Sequence, residues 1–241
     1  IRSKQPGDVL LAYKYFMDGL TPEQREECVL IFHCSPVDDN GTDLPRVHKH
    51  LCPDYDICFT YNIDNRPFND DEMNLLFNSA DVYINLASNE GFGLGSAEAL
   101  TVGTPIIVNV TGGLQDQCGF KKDDEFLTPD DYVELGSNHD GMYTKHGEWV
   151  FPVFPSNKSL QGSPVTPYIW DDRCRPEDAA VQLKKLYELG RKERKRLGSL
   201  GTEFCKENLM TSQAMGQRFI DSMNGAFDNW KPQPKYYMEA V

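Results

Sequence analysis

Asp81-Val82-Tyr83-Ile84-Asn85-Leu86, followed by Ser88-Asn89-Glu90-Gly91-Phe92-Gly93-Leu94-Gly95-Ser96-Ala97-Glu98-Ala99-Leu100, is the stretch that decides the fold. The first part predicts a strand and the second predicts a helix over 95–102, with a glycine-rich turn between them. The alternation continues on both sides. Pro105–Val110 predicts the next strand. Upstream, Asp70–Ala80 predicts a helix and Ile57–Tyr61 a strand. Before these come a short helix over 44–51 and the run Cys28–Cys34, too short for a typical helix and β-branched enough for a buried strand. Val9, Leu10, Tyr13, Phe16 and Met17 recur at helical spacing between Gly7 and Leu20. Strands alternating with helices imply an α/β fold, a Rossmann-like doubly wound parallel sheet.

Residues 111–170 break the rhythm with Gly, Pro, Asp and aromatic residues, leaving one strand candidate at Glu148–Phe154. After Pro176-Glu177-Asp178, helices are expected over 179–189, 191–207 and 212–228. We therefore expect one domain over 1–241, with a core of roughly 1–115 and 176–228 and an elaborated region over about 116–175.

The chain has 241 residues, 39% hydrophobic and 25% charged, enough for one large core. A formal charge of −13 argues against a sequence-independent hold on nucleic acid or anionic lipid. Seven cysteines form no CxxC pair and leave one over, which suits a reducing compartment. With no signal peptide or long apolar run, the expected location is the cytoplasm, or the membrane periphery. The sequons at Asn40, Asn109 and Asn157 then read as chance matches.

A glycine-rich strand-to-helix turn lets backbone come close to a ligand, and the free amides of the helix start attract phosphate. Glu90 and Glu98 flank that cradle eight residues apart. Carboxylates are good acceptors for vicinal hydroxyls, so one can take a ribose diol and the other a sugar, with a diphosphate between them.

Glu90-x7-Glu98, together with Ala80–Ile84 and Gly103-Thr104-Pro105 through Gly112-Gly113, resembles the family 4, GT-B-fold retaining glycosyltransferases. The resemblance covers roughly residues 1–115 and extends to the helices from 176. It implies that Glu90 binds the donor sugar, Glu98 the nucleotide ribose, and Gly91, Phe92, Gly93 and Leu94 supply turn amides. It implies that Arg2 and Lys4 stabilise the departing diphosphate and that the loop at Tyr61 and Asn62 lies where the base is held. The substrate would be a UDP- or GDP-sugar, with no cofactor and no metal required. The acceptor would be a glycan, lipid or protein, and the N-terminal acceptor domain is expected to be missing from this chain.

Several features have plainer readings. Asp54-Tyr55-Asp56 is formally a DxD, yet in an acidic chain it reads as a solvated loop. His48 and His50 do not share a helix face. Arg191–Arg196 reads as the charged face of a helix, and Trp149, Trp170, Trp230, Tyr236 and Tyr237 as packing residues. A binding-only module, a sugar-nucleotide epimerase and an oxidoreductase with an unusual nucleotide loop are the alternatives.

Overall fold

The structure, a computed structural model, describes residues 2–208 and 210–232, apart from the side chains of Arg2, Asp64 and Pro129. Tyr236 and Tyr237 lie outside the described residues, as does the Arg2 side chain. A 3-10 turn at Arg2–Lys4 leads into α1 (Pro6–Asp18), α2 (Pro22–Arg25), β1 (Leu30–Phe32), α3 (Leu44–Leu51), β2 (Ile57–Phe59), α4 (Tyr61–Asp64) and α5 (Asp70–Ser79). Next come β3 (Tyr83–Asn85), α6 (Leu94–Thr101), β4 (Ile106–Asn109), a 3-10 segment Gly112–Cys118, β5 (Lys121–Lys122), β6 (Glu125–Phe126), α7 (Pro129–Leu135) and β7 (Val150–Val153). The hairpin β8 (Asn157–Ser163) and β9 (Thr166–Arg173) precedes α8 (Pro176–Glu207) and α9 (Ser212–Asn229).

The parallel strands fall into a pair, β1–β2, and a triple in the order β3-β4-β7. All four residues of β4 are buried, and its side chains divide between two cores because successive residues of a strand face opposite ways. Ile107 joins Val9, Leu10, Leu86, Val153, Ala179 and Leu186 on one face. Ile106 and Val108 join Phe77, Leu100, Trp149 and Phe204 on the other. Helices therefore cover both faces of the sheet, as the doubly wound reading requires.

Helix α8 reaches both cores because it is broken at Gly190 (φ 73°, ψ 164°), which separates Leu186 on one face from Phe204 and Cys205 on the other. The two helices expected over 179–189 and 191–207 are the two halves of α8. At the start of α5, Asn69 and Glu72 form a reciprocal capping box. Arg66 donates to both Glu72 oxygens at 2.8 and 2.7 Å. That bond, aided by the Asn69 amide, holds the Glu72 carboxyl down at about 2.

Four expectations need correction. The strand from Ile57 stops at Phe59, and Tyr61 begins the short helix α4, which ends at Asn65 in the left-handed region (φ 52°). Residues 111–170 are more ordered than a loop region, holding β7, α7 and most of the β8–β9 hairpin. Trp149 is buried, but Trp170 on β9 is 51% exposed and Trp230 is 70% exposed, so neither is a core residue. Within the basic run, Arg194 is half-buried and tied to Asp81 at 2.9 Å, not merely solvated. The sequon at Asn109 is fully buried in β4, its amide bonded to the carbonyls of Ala87 and Asp172, and cannot carry a glycan in the folded chain.

Candidate donor-binding site

The turn after β3 is held as one piece with the segment after β4. The Gly113 amide donates to the Glu90 carbonyl at 2.9 Å, and the Gln117 side chain donates to the carbonyls of Phe92 (2.5 Å) and Gly93 (3.2 Å). The fit is backbone against backbone. A Cβ on Gly112 would overlap the Glu90 carbonyl, and one on Gly113 would lie 2.7 Å from the Phe92 Cα. Gly91, by contrast, has no neighbour within 4 Å of where its Cβ would be. The turn therefore presents bare backbone to solvent at Gly91 and is locked from behind.

Gly93 adopts a left-handed conformation (φ 88°, ψ 58°) at the start of α6, and no side chain caps that helix. Its first turn carries no acidic residue, so the positive end of the helix has no counter-charge within that turn. Phe92 and Leu94 are exposed on the turn, and Gly93 is buried beneath it.

Glu90 is ion-paired with Lys4, whose side chain is half exposed while that of Glu90 is 14% exposed. Lys4 is placed by the chain entering α1: the Ser3 carbonyl accepts from the Ser88 amide at 2.9 Å, and the Gln5 side chain reaches the Ser88 hydroxyl at 3.4 Å. Glu98 sits farther along α6, on its exposed side. Partial burial and the nearby Asp70 raise its carboxyl above the ordinary value. The buried Tyr83 hydroxyl feels the charge of both acids. Burial pushes it up to about 12, and Glu90 and Glu98 add to the shift. A Cβ on Gly95 would strike the Tyr83 ring, at 3.0 Å from its Cζ.

The structure thus brings Lys4, Glu90, Gly91, Phe92, Gly93, Leu94 and Glu98 to the carboxyl end of β3. Tyr61 and Asn62 follow β2 at the carboxyl end of the other strand pair, and Tyr61 packs 6.2 Å from His33. No hydrogen bond or ion pair joins them to the Glu90 turn among the described residues. Burial lowers the His33 pKa, and its ring bonds Thr60 at 2.8 Å, as a packed histidine does. Asp54 and Asp56 lie before β2, away from the site, and no group of three metal-ligating side chains occurs among the described residues.

Sequence reasoning missed three supports. Asp172 at the base of the hairpin is buried, accepts from Thr111 at 2.9 Å, and donates its amide to the Ser88 carbonyl. Arg173 bonds Gln5 at 2.5 Å and lies 3.7 Å from Asp8. Gln117 is the third. All lie in or beside a stretch with no periodic signal, so only the fold reveals them.

Residues 58–132 match the model of a family described as "Family 4 Glycosyltransferase in conflict systems". That segment holds the whole Glu90–Glu98 turn and is of the family 4 glycosyltransferase type, although it is less than half of the chain. No curated protein sequence matches the chain. Among solved structures, sucrose-phosphate synthase from Thermosynechococcus elongatus is similar over 92% of this chain and 42% of its own, at 16% identity and TM-score 0.56. A glycosyltransferase from Rickettsia africae is similar over 91% of this chain and 56% of its own, at 12% identity and TM-score 0.50. Anabaena HepE, solved with UDP and glucose, aligns over 76% of this chain and 36% of its own, at 13% identity and TM-score 0.48. The chain thus spans between about a third and somewhat over half of the length of these structures, and the likeness to the first two is one of fold.

Proposed function

We propose that the chain is the donor-binding part of a retaining glycosyltransferase, taking a nucleoside-diphosphate sugar at the Ser88–Leu94 turn. One observation carries this reading: an uncapped helix start with bare backbone at Gly91 lies between two carboxylates, one of them paired with Lys4. The family match over the same residues supports it.

In this scheme the diphosphate lies at the amino end of α6, where backbone amides and the helix dipole favour negative charge. Glu98 accepts from the ribose diol and Glu90 from hydroxyls of the transferred sugar. Lys4 exchanges its contact with Glu90 for the diphosphate as charge develops on the leaving group, which is electrostatic stabilisation of the transition state. Arg2 is assigned the same role from its place beside Lys4 in sequence, and Tyr61 and Asn62 are assigned to the base. These groups supply the positive charge the scheme needs, so we propose a metal-independent reaction, with uridine or guanosine as the base. The acceptor, a glycan, lipid or protein, would be held by a facing domain.

Calorimetric titration with UDP- and GDP-sugars, without metal and then with Mg²⁺ or Mn²⁺, tests this. Metal-independent binding is expected. Glu98→Ala should weaken it about 10- to 150-fold, the worth of a hydrogen bond to a charged group. Glu90→Ala should mainly reduce discrimination among donor sugars. Equal affinity of both variants and wild type for every donor would overturn the assignment.

A further inference from the structure

At the opposite end of the sheet, where the chain enters β3 and β4, a cleft of about 490 Å³ opens between the 78–81 and 102–105 loops and the second half of α8. The two walls are joined beside it: Gly198 of α8 packs directly on the Gly103 backbone, and the Thr202 hydroxyl donates to the Leu100 carbonyl at 2.9 Å. The Glu90–Gly93 turn follows β3 and this cleft precedes it, so the length of the strand separates the two.

The cleft is lined by three cations, Arg191, Arg194 and Lys195, against one carboxylate, Asp81. The surplus is local, in a chain whose formal charge is −13. Arg194 is already committed. It donates to Asp81 at 2.9 and 3.1 Å and to the carbonyls of Leu186 and Tyr187, which the break at Gly190 frees. Arg196 is committed too, to Glu148 and Glu193 on the outside of the helix. Arg191 and Lys195 differ. They stand one turn apart on the same face, about 5–6 Å between their Cβ atoms, and make no ion pair among the described residues. Two cations that a strongly acidic chain leaves unpaired at one concave site are placed for a ligand carrying more than one negative charge.

We propose that this cleft binds a compact phosphate-class polyanion of about triphosphate size, independently of the donor turn. Arg191 and Lys195 are its principal contacts, and the Arg194–Asp81 pair forms the wall beside them. The overall negative charge of the chain opposes an extended nucleic acid.

The test is an NMR titration of the whole chain with sodium tripolyphosphate, following the amides of Ser79, Gly103 and Thr104 beside those of the Leu94–Ser96 turn. Saturable shifts at Ser79, Gly103 and Thr104 are expected, weakened at least about tenfold in the Arg191→Ala/Lys195→Ala double variant and unchanged in Lys4→Ala. Both replaced residues are exposed, so the double variant should keep the melting temperature of wild type. Co-sedimentation with vesicles containing phosphatidylinositol bisphosphate, lost in the double variant, would identify a headgroup as the source of the phosphate. Its absence, with tripolyphosphate bound, would identify a free anion. Shifts confined to the Leu94–Ser96 turn, or equal affinity of wild type and double variant, would overturn the proposal and leave the donor reading untouched.

Discussion

Alanine at Gly91 and alanine at Gly113 should separate ligand approach from folding. At Gly113 the added carbon would overlap the Gly91 carbonyl oxygen and lie 2.7 Å from the Phe92 Cα. Both neighbours are backbone, so relief requires the turn itself to move. Overpacking of this kind costs about 1–3 kcal/mol. At about 2–4 °C per kcal/mol for a chain of this size, Gly113→Ala should melt about 2–12 °C below wild type. At Gly91 no heavy atom lies within 4 Å of the added carbon. Stability should change by no more than about 0.5 kcal/mol, while under the proposed donor scheme affinity falls about tenfold or more because the methyl would stand between the ligand and the backbone. Differential scanning fluorimetry and calorimetric titration of the two variants read both quantities. Undiminished donor affinity in Gly91→Ala would refute the claim that a ligand meets the backbone there. An unchanged melting temperature in Gly113→Ala would show that the two segments part without cost.

Because burial and Asp70 raise the Glu98 carboxyl, donor affinity should fall with decreasing pH through a midpoint above the ordinary value of about 4.3. A raised carboxyl stabilises the fold at low pH and loses that contribution as pH rises through its folded value, so Glu98→Gln should abolish the midpoint without destabilising the chain at neutral pH. Calorimetry across pH 4–7 and a pH series of melting curves check both statements. Asn69→Ala removes the side-chain half of the α5 capping box and should cost about 1 kcal/mol, measured by urea denaturation. Phe204, buried with its ring centroid 4.5 Å from that of Trp149, should cost about 3–5 kcal/mol as Phe204→Ala. The near-ultraviolet circular dichroism of Trp149 should change with it.

The strands and helices of the doubly wound core were legible because each is a short apolar run or a helical stripe with a turn signal beside it. Ile106 to Val110 could hardly be anything but a buried strand. The candidate turn was legible for the same reason, since glycines between a strand and a helix have few uses. The hairpin was not. Asn157–Arg173 is mostly exposed along both strands, so no alternation of apolar and polar residues marks it. Gln117, Asp172 and Arg173 reach the site through contacts distant in sequence, which no local pattern records. The pairing of Lys4 with Glu90 across 86 residues had a sequence signal only through the family resemblance. Arg194 shows the converse: a residue inside a charge run looks like its neighbours until Asp81 is seen beside it.

The seating of Gly112 and Gly113 against the Glu90–Phe92 backbone makes two stretches of sequence into a single mould. A graft that carried only the Ser88–Leu94 turn into another scaffold would leave behind the surface that shapes it, so both stretches would have to be transplanted together. Insertions are barred at this seam for the same reason. Descendants of this chain that come to recognise other ligands would have to vary at the open margins, such as the exposed rim of the β8–β9 hairpin, and inherit the mould unchanged.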